Sequence, residues 1–180
     1  MALPLQRPCM EASIQMKSKA AIGSHPIHPM LVPIPIGAFF LALFGDVMRM
    51  ATPEDRFWYD FSFTCIGLGI AFAVLAAIVG AIDYIGVKMS GPAFRVATAH
   101  ALVNVGVVVS YILSFVFRRH DAALSGGRWP AAFFFAVLGF GLLCVSGWLG
   151  GKLAYEHRVG VAESSAAQPQ AGARRERAAS

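Results

Sequence analysis

Charge is what this sequence has least of. Only 14% of its 180 residues are charged, against about 25% in soluble domains, while 57% are hydrophobic. A chain of that composition, with a mean hydropathy of +0.61, does not have the polar residues to clothe a soluble globule. Cysteine is scarce too: Cys9, Cys65 and Cys144 form no CxxC pair, which excludes a disulfide framework and a zinc knuckle. Cys65 and Cys144 fall inside apolar runs and read as small buried hydrophobes. There is no P-loop, no GxGxxG turn between a strand and a helix, and no catalytic triad pattern, so the sequence assigns no reaction. The Gly-x-Gly pairs at Gly67 and Gly139 lie within apolar runs, where glycine serves packing. No basic tract suits nucleic acid. The net charge of +5 is scattered, and Arg174-Arg175-Glu176-Arg177 sits in a small-residue tail better matched to anionic lipid. Residues 1–24 lack the apolar core of a signal peptide, so the first span is expected to be an uncleaved anchor.

What is present is a set of apolar runs, each near the roughly 20 residues that cross a bilayer. They predict spans over about Pro35–Met50, Phe61–Ile85, Phe94–Phe117 and Ala131–Tyr155. Polar or aromatic connections separate them: Thr52–Arg56 with the belt Phe57-Trp58-Tyr59, Gly86–Pro92, and Arg118–Arg128 ending at Trp129-Pro130. The expected architecture is an all-α membrane protein, a four-transmembrane-helix antiparallel bundle. Its parts are an N-terminal arm (1–24), a membrane domain (25–161) and a disordered Ala/Ser/Gln/Arg tail (162–180). No internal sequence repeat is defensible. Gly69, Ala73, Ala77 and Ala81, and the pair Gly147/Gly151, predict close packing between the second and fourth spans. Asp46 is expected to pair with Arg49, three residues on along the same helix.

The segment Ser24-His25-Pro26-Ile27-His28-Pro29-Met30-Leu31-Val32-Pro33-Ile34-Pro35 leads into the first span. Proline removes a backbone donor and pushes its predecessor toward extended geometry, so helix is expected only from about Pro35. Up-down order puts His25, His28, Asp83, His100 and His157 at one end of the bundle, with His120 at the other. His100 and Asp83 fall within spans, where ionisable groups are costly and usually paired or functional. Asn104 is one turn deeper on the face of His100.

His-Pro-x-His-Pro-Met before span one, Asp83-Tyr84 closing span two, His-x3-Asn in span three and Gly-Gly-Lys-Leu-x-Tyr-x-His-x-Val-Gly-Val after span four together resemble the bacterial membrane family called domain of unknown function 2231, over about Gly23–Val161. The resemblance implies four helices and no assigned activity. Some members of that family are fused to a Rieske iron–sulphur domain, which implies electron transfer nearby. This chain has no Cys-x-His pair to hold such a cluster.

Three readings of the polar end follow. The first is a haem b held by two of His28, His100 and His157, with Asp83 or Asn104 orienting a ligand, in a module exchanging electrons with a partner protein or another copy of itself. The second is a zinc, iron or copper site drawn from His25, His28, His100, His157 and Asp83. The third has no cofactor: the polar groups satisfy helix ends at the lipid interface, and the protein is a scaffold or accessory subunit. Ten Lys and Arg fall on the termini and second loop (Arg7, Lys17, Lys19, Lys88, Arg95, Lys152, Arg158, Arg174, Arg175, Arg177) and five on the other side. That bias predicts a bacterial inner-membrane protein with both termini cytoplasmic, although near the span ends it narrows to about six against five.

Overall fold

In the computed structural model, the described residues are 18–23, 25–53, 55–89, 91–119 and 127–160. The arm 1–17, His120 and the tail from Val161 lie outside them. The chain opens on a hairpin, β1 (Ala21–Ile22) antiparallel to β2 (His25–Pro26), with Ile22 opposite His25. Gly23 sits in the turn at φ +63°, a conformation that two-residue hairpin loops require and glycine adopts without strain. Five helices follow: α1 (Ile27–Leu31), α2 (Pro33–Ala51), α3 (Arg56–Gly86), α4 (Gly91–Arg119) and α5 (Trp129–Tyr155).

Taken together, α1 and α2 form a 25-residue span, and α3, α4 and α5 supply 31, 29 and 27 residues. At about 1.5 Å per residue each exceeds the roughly 30 Å of a hydrocarbon core. All four are apolar enough to cross, and their outer faces carry bare Phe40, Leu41, Phe44, Leu75, Ile78, Leu102 and Val105. In water that surface would drive aggregation; in lipid it is the solvent-matched face. The protein is a multi-pass membrane protein built as a four-span helical bundle.

Helix starts earlier than the prolines suggested. Ile27–Leu31 is already helical, and Pro33 opens α2. Val32 between them keeps helical angles (φ −56°, ψ −36°), and its N–H reaches the His28 carbonyl at 3.2 Å. Prolines in the first turn of a helix lose donors that have no intrahelical partner there, so they are tolerated. His28 is therefore on a helix rather than before one.

Neighbours in sequence pack most closely, α2 on α3 and α4 on α5, and the two hairpins close the ring through α3 against α4 and α2 against α5. That leaves α2 and α4 diagonal, facing each other across the centre. Their buried positions recur at intervals of three and four: Pro35, Ala38, Phe39, Ala42, Gly45 and Asp46 on α2, and Val107, Ser110, Tyr111, Ser114 and Arg118 on α4. This is the seam spacing of packed helices. Mid-bundle, the rings of Phe39 and Tyr111 stack with centroids 3.7 Å apart. Gly69 and Gly139 make room for them: a Cβ on Gly69 would stand 2.4 Å from Phe39, and one on Gly139 2.8 Å from Tyr111.

Two packing expectations change. Ala77 and Ala81 are exposed, because a step of four residues drifts about 40° per repeat around a 3.6-residue helix and carries the stripe off the inner face. Gly147 and Gly151 also point outward, with nothing within 4 Å of where a Cβ would be. The glycines that admit neighbours are Gly69, Gly139, Gly80 and Gly150.

Asp46 pairs across the bundle rather than along its own helix. Arg118 donates from Nη1 to Asp46 Oδ1 at 2.6 Å and from Nη2 to Oδ2 at 2.5 Å, with both side chains fully buried. Ser62 Oγ also donates to Asp46 at 2.7 Å, and Arg118 Nε reaches Ser114 Oγ at 3.3 Å. Arg49 instead lies between the Tyr59 and Trp129 rings, its guanidinium carbon 5.0 and 4.9 Å from their centroids. An isolated charge at this depth would be costly, and a bidentate partner from the diagonal helix removes that cost.

Candidate functional site

At the opposite end of the seam from Asp46, about 27 Å away over eighteen helical residues, the diagonal helices bring two histidines together. The His28 and His100 rings are perpendicular, with centroids 6.4 Å apart. His28 Nδ1 lies 2.8 Å from the Ala76 carbonyl of α3, and His100 Nδ1 lies 3.0 Å from the Ser146 carbonyl of α5. A carbonyl can only accept, so Nδ1 carries the proton in both rings and Nε2 is left as the lone-pair nitrogen. Each ring rests on a glycine of the facing helix: a Cβ on Gly80 would stand 3.1 Å from His28, and one on Gly150 3.2 Å from His100. An added Cβ at either place would require the imidazole to give by a few tenths of an ångström.

Asn104, one turn below His100, donates from Nδ2 to the His100 carbonyl at 2.9 Å and stands 3.1 Å from His100 Nε2. The amide is thus the donor that His100 Nε2 accepts from. Ser146 Oγ lies 3.3 Å from His100 Nδ1 and supplements the carbonyl.

Asp83 does something else. Its carboxylate accepts from Ser18 Oγ at 2.9 and 2.8 Å, from the Lys19 N–H at 2.7 Å and from the Ala20 N–H at 2.9 Å. It fastens the segment before β1 to the end of α3, and the role of orienting the imidazoles falls to the Ala76 and Ser146 carbonyls. The expectation that Asp83 would fix a histidine tautomer is corrected accordingly: carboxylates at a helix end are drawn to free backbone donors, and residues 18–20 present them.

His25 is exposed on β2. His157 closes the turn after α5, its N–H on the Lys152 carbonyl at 3.2 Å, and among the described residues no hydrogen bond or ring contact joins it to His28 or His100. The expected quartet of His28, Asp83, His100 and His157 reduces to one imidazole pair with Asn104 attached. Among the described residues no group of three or more His, Cys, Asp or Glu stands together as metal ligands.

The proline-rich head and the segment after α5 do meet. Gly160, at φ +75°, lies with its Cβ direction 4.0 Å from Pro26, so both ends of the membrane domain gather over the imidazole end. Ala76, Gly80, Ser146 and Gly150 escaped the sequence reading. Their signal is faint: a small residue four positions before a glycine, twice, in segments full of small residues.

No curated protein and no solved structure matches the chain. Residues 24–163, from the serine before the paired His-Pro dipeptides to just beyond the segment that folds back on them, match one family. The chain belongs to the family described as predicted membrane protein DUF2231.

Proposed function

We propose that His28 and His100 would hold a haem b, and that the protein is an electron-transfer module of the bacterial inner membrane with both termini cytoplasmic. One observation carries this reading. Two imidazoles on diagonal helices each have Nδ1–H held by a main-chain carbonyl, leaving Nε2 as the donor nitrogen. That is how a protein usually presents a ligating histidine, with the other ring nitrogen fixed by an acceptor. The two rings stand with centroids 6.4 Å apart, on helices that face each other across the bundle. Two nitrogens fall short of a tetrahedral zinc set, whereas a porphyrin brings four of its own and needs two more. Iron held this way supplies one-electron chemistry. The chain's part would be to orient the two rings through the Ala76 and Ser146 carbonyls, with the Asn104 amide as the donor that His100 Nε2 would exchange for iron.

Purified protein titrated with haemin should develop one Soret band per chain that shifts on reduction. His28→Ala and His100→Ala should each abolish it, and His25→Ala should leave it intact. A spectrum indistinguishable from free haemin refutes the proposal, and metal analysis of the same sample then tests for a bare ion.

A second reading rests on the Asn104 bond. With His100 Nε2 accepting from Asn104 and both Nδ1 atoms bonded across helix pairs, the imidazoles already join the helices without a ligand. Under that scaffold reading, His100→Ala lowers the unfolding midpoint of a protein that takes up neither haem nor metal.

A further inference from the structure

The contacts that hold the bundle together occur twice. His28 sits on the Ala76 carbonyl and against Gly80; His100 sits on the Ser146 carbonyl and against Gly150. Phe39 fills the space over Gly69; Tyr111 fills the space over Gly139. Ser62 Oγ, whose proton is shared with Asp46, stands 3.0 Å from the Ala42 carbonyl; at the corresponding level Ser114 Oγ donates to the Ala132 carbonyl at 2.7 Å, with the hydroxyl on the other helix of the pair. In every case the α1–α2 position recurs in α4 after 72 residues (28 and 100, 39 and 111, 42 and 114), and the α3 position recurs in α5 after 70 (62 and 132, 69 and 139, 76 and 146, 80 and 150). Burial follows the same offset for the fully buried Ile66 and Ala136, and the rings of Tyr59 and the half-buried Trp129, also 70 apart, flank Arg49 together.

Three of these related pairs meet each other. His28 faces His100, Phe39 stacks on Tyr111, and Asp46 pairs with Arg118, again 72 positions away. Positions that touch their own equivalents lie on a two-fold axis. Each half has two spans and so enters and leaves on one side, which sets that axis along the membrane normal.

We infer that the protein is two copies of one two-span hairpin facing each other across this axis, and that the Asp46–Arg118 pair restricts each half to the other as its partner. The axis is chemically alike at the imidazole and aromatic levels and unlike only at this one. Two first halves meeting would set carboxylate against buried carboxylate, and two second halves would set guanidinium against guanidinium. Only a first half with a second half buries opposite charges, a repulsive selection against wrong pairings. The surface so defined is the inner face of each hairpin, and its partner is the complementary hairpin, from the same chain or from a second copy. This rests on helix contacts alone and is independent of any haem.

Full-length chains test it. Asp46→Arg places two arginines on the axis of one chain; Arg118→Asp places two aspartates on that of another. Each variant alone should lose most of the folded protein recovered from membranes. Co-expressed with different tags, every pairing between the two chains becomes complementary, so recovery should return and both tags should purify together as an exchanged dimer. The double exchange Asp46→Arg/Arg118→Asp in one chain should also restore recovery. The inference is overturned if the double exchange recovers and the co-expressed pair does not, if either single variant accumulates like the parent, or if the double exchange fails as badly as the singles.

Discussion

Replacing Arg118 with methionine keeps most of the side-chain length and removes the charge. Three hydrogen bonds go with it: two to Asp46 and one to Ser114. Among the described residues Asp46 keeps only the Ser62 hydroxyl at 2.7 Å, and its side chain is fully buried. Removing one partner of a buried ion pair typically costs about 3–5 kcal/mol, chiefly because the other charge is left uncompensated. At about 1.4 kcal/mol per factor of ten, the folded population relative to unfolded should fall by roughly two to three and a half orders of magnitude. Asp46→Leu should cost a similar amount by stranding the guanidinium. The double variant Asp46→Leu/Arg118→Met should lie within about 1 kcal/mol of the parent or above it, since apolar replacement of a buried pair is often neutral or stabilising. The assay is reversible unfolding in mixed micelles with increasing dodecyl sulfate, followed by tryptophan fluorescence and run as a double-mutant cycle. Single substitutions costing under about 1 kcal/mol, or a double costing the sum of the singles, would show that the pair is not the uncompensated-charge device described.

Three further outcomes are expected. Gly69→Ala should destabilise by about 1–3 kcal/mol because its Cβ would stand 2.4 Å from the Phe39 ring, while Gly147→Ala, facing open space, should change unfolding by less than about 0.5 kcal/mol. Asp83→Ala should release Ser18–Ala20 and speed tryptic cleavage after Lys19 by at least about tenfold, without moving the unfolding midpoint of the four spans by more than about 1 kcal/mol. Alkaline phosphatase fused after Arg56 should be active and fused after Lys88 inactive, and the reverse pattern would overturn cytoplasmic termini.

Membrane class and span number were legible because apolar run length is a one-dimensional property, and bilayer thickness reads it directly. The ends of α3, α4 and α5 fall within a few residues of expectation for the same reason. The imidazole pair was legible in part: up-down order brings His28 and His100 to one end, but only helix rotation decides that they face each other, and His157 falls in the turn beyond α5. Asp46 was assigned to Arg49 because sequence spacing sees neighbours along a helix, whereas its partner came from a helix 72 residues away. The duplication was hidden for a related reason. What repeats is the contact, and the contact tolerates Phe for Tyr, Ala for Ser and even Asp for Arg, so residue identity carries little of it.

The proline break between α1 and α2 has a mechanical consequence. Pro33 and Pro35 have no N–H to give, so the carbonyls of Pro29 and Leu31 lack their helical donors, and the bonds made by the Val32 and Ile36 N–H groups at the junction are long, at 3.2 and 3.3 Å. The corresponding stretch of α4 has no proline and runs through as unbroken helix. Amide exchange at Val32 and Ile36 should therefore outpace that at Asn104 and Val108, and equal rates would contradict a soft junction. The two imidazoles, matched in their carbonyl and glycine contacts, are then mounted differently: His100 on a rigid post, His28 on a short arm with a compliant root. A group held between them would meet one fixed jaw and one sprung jaw, and the sprung jaw would take up differences in its size.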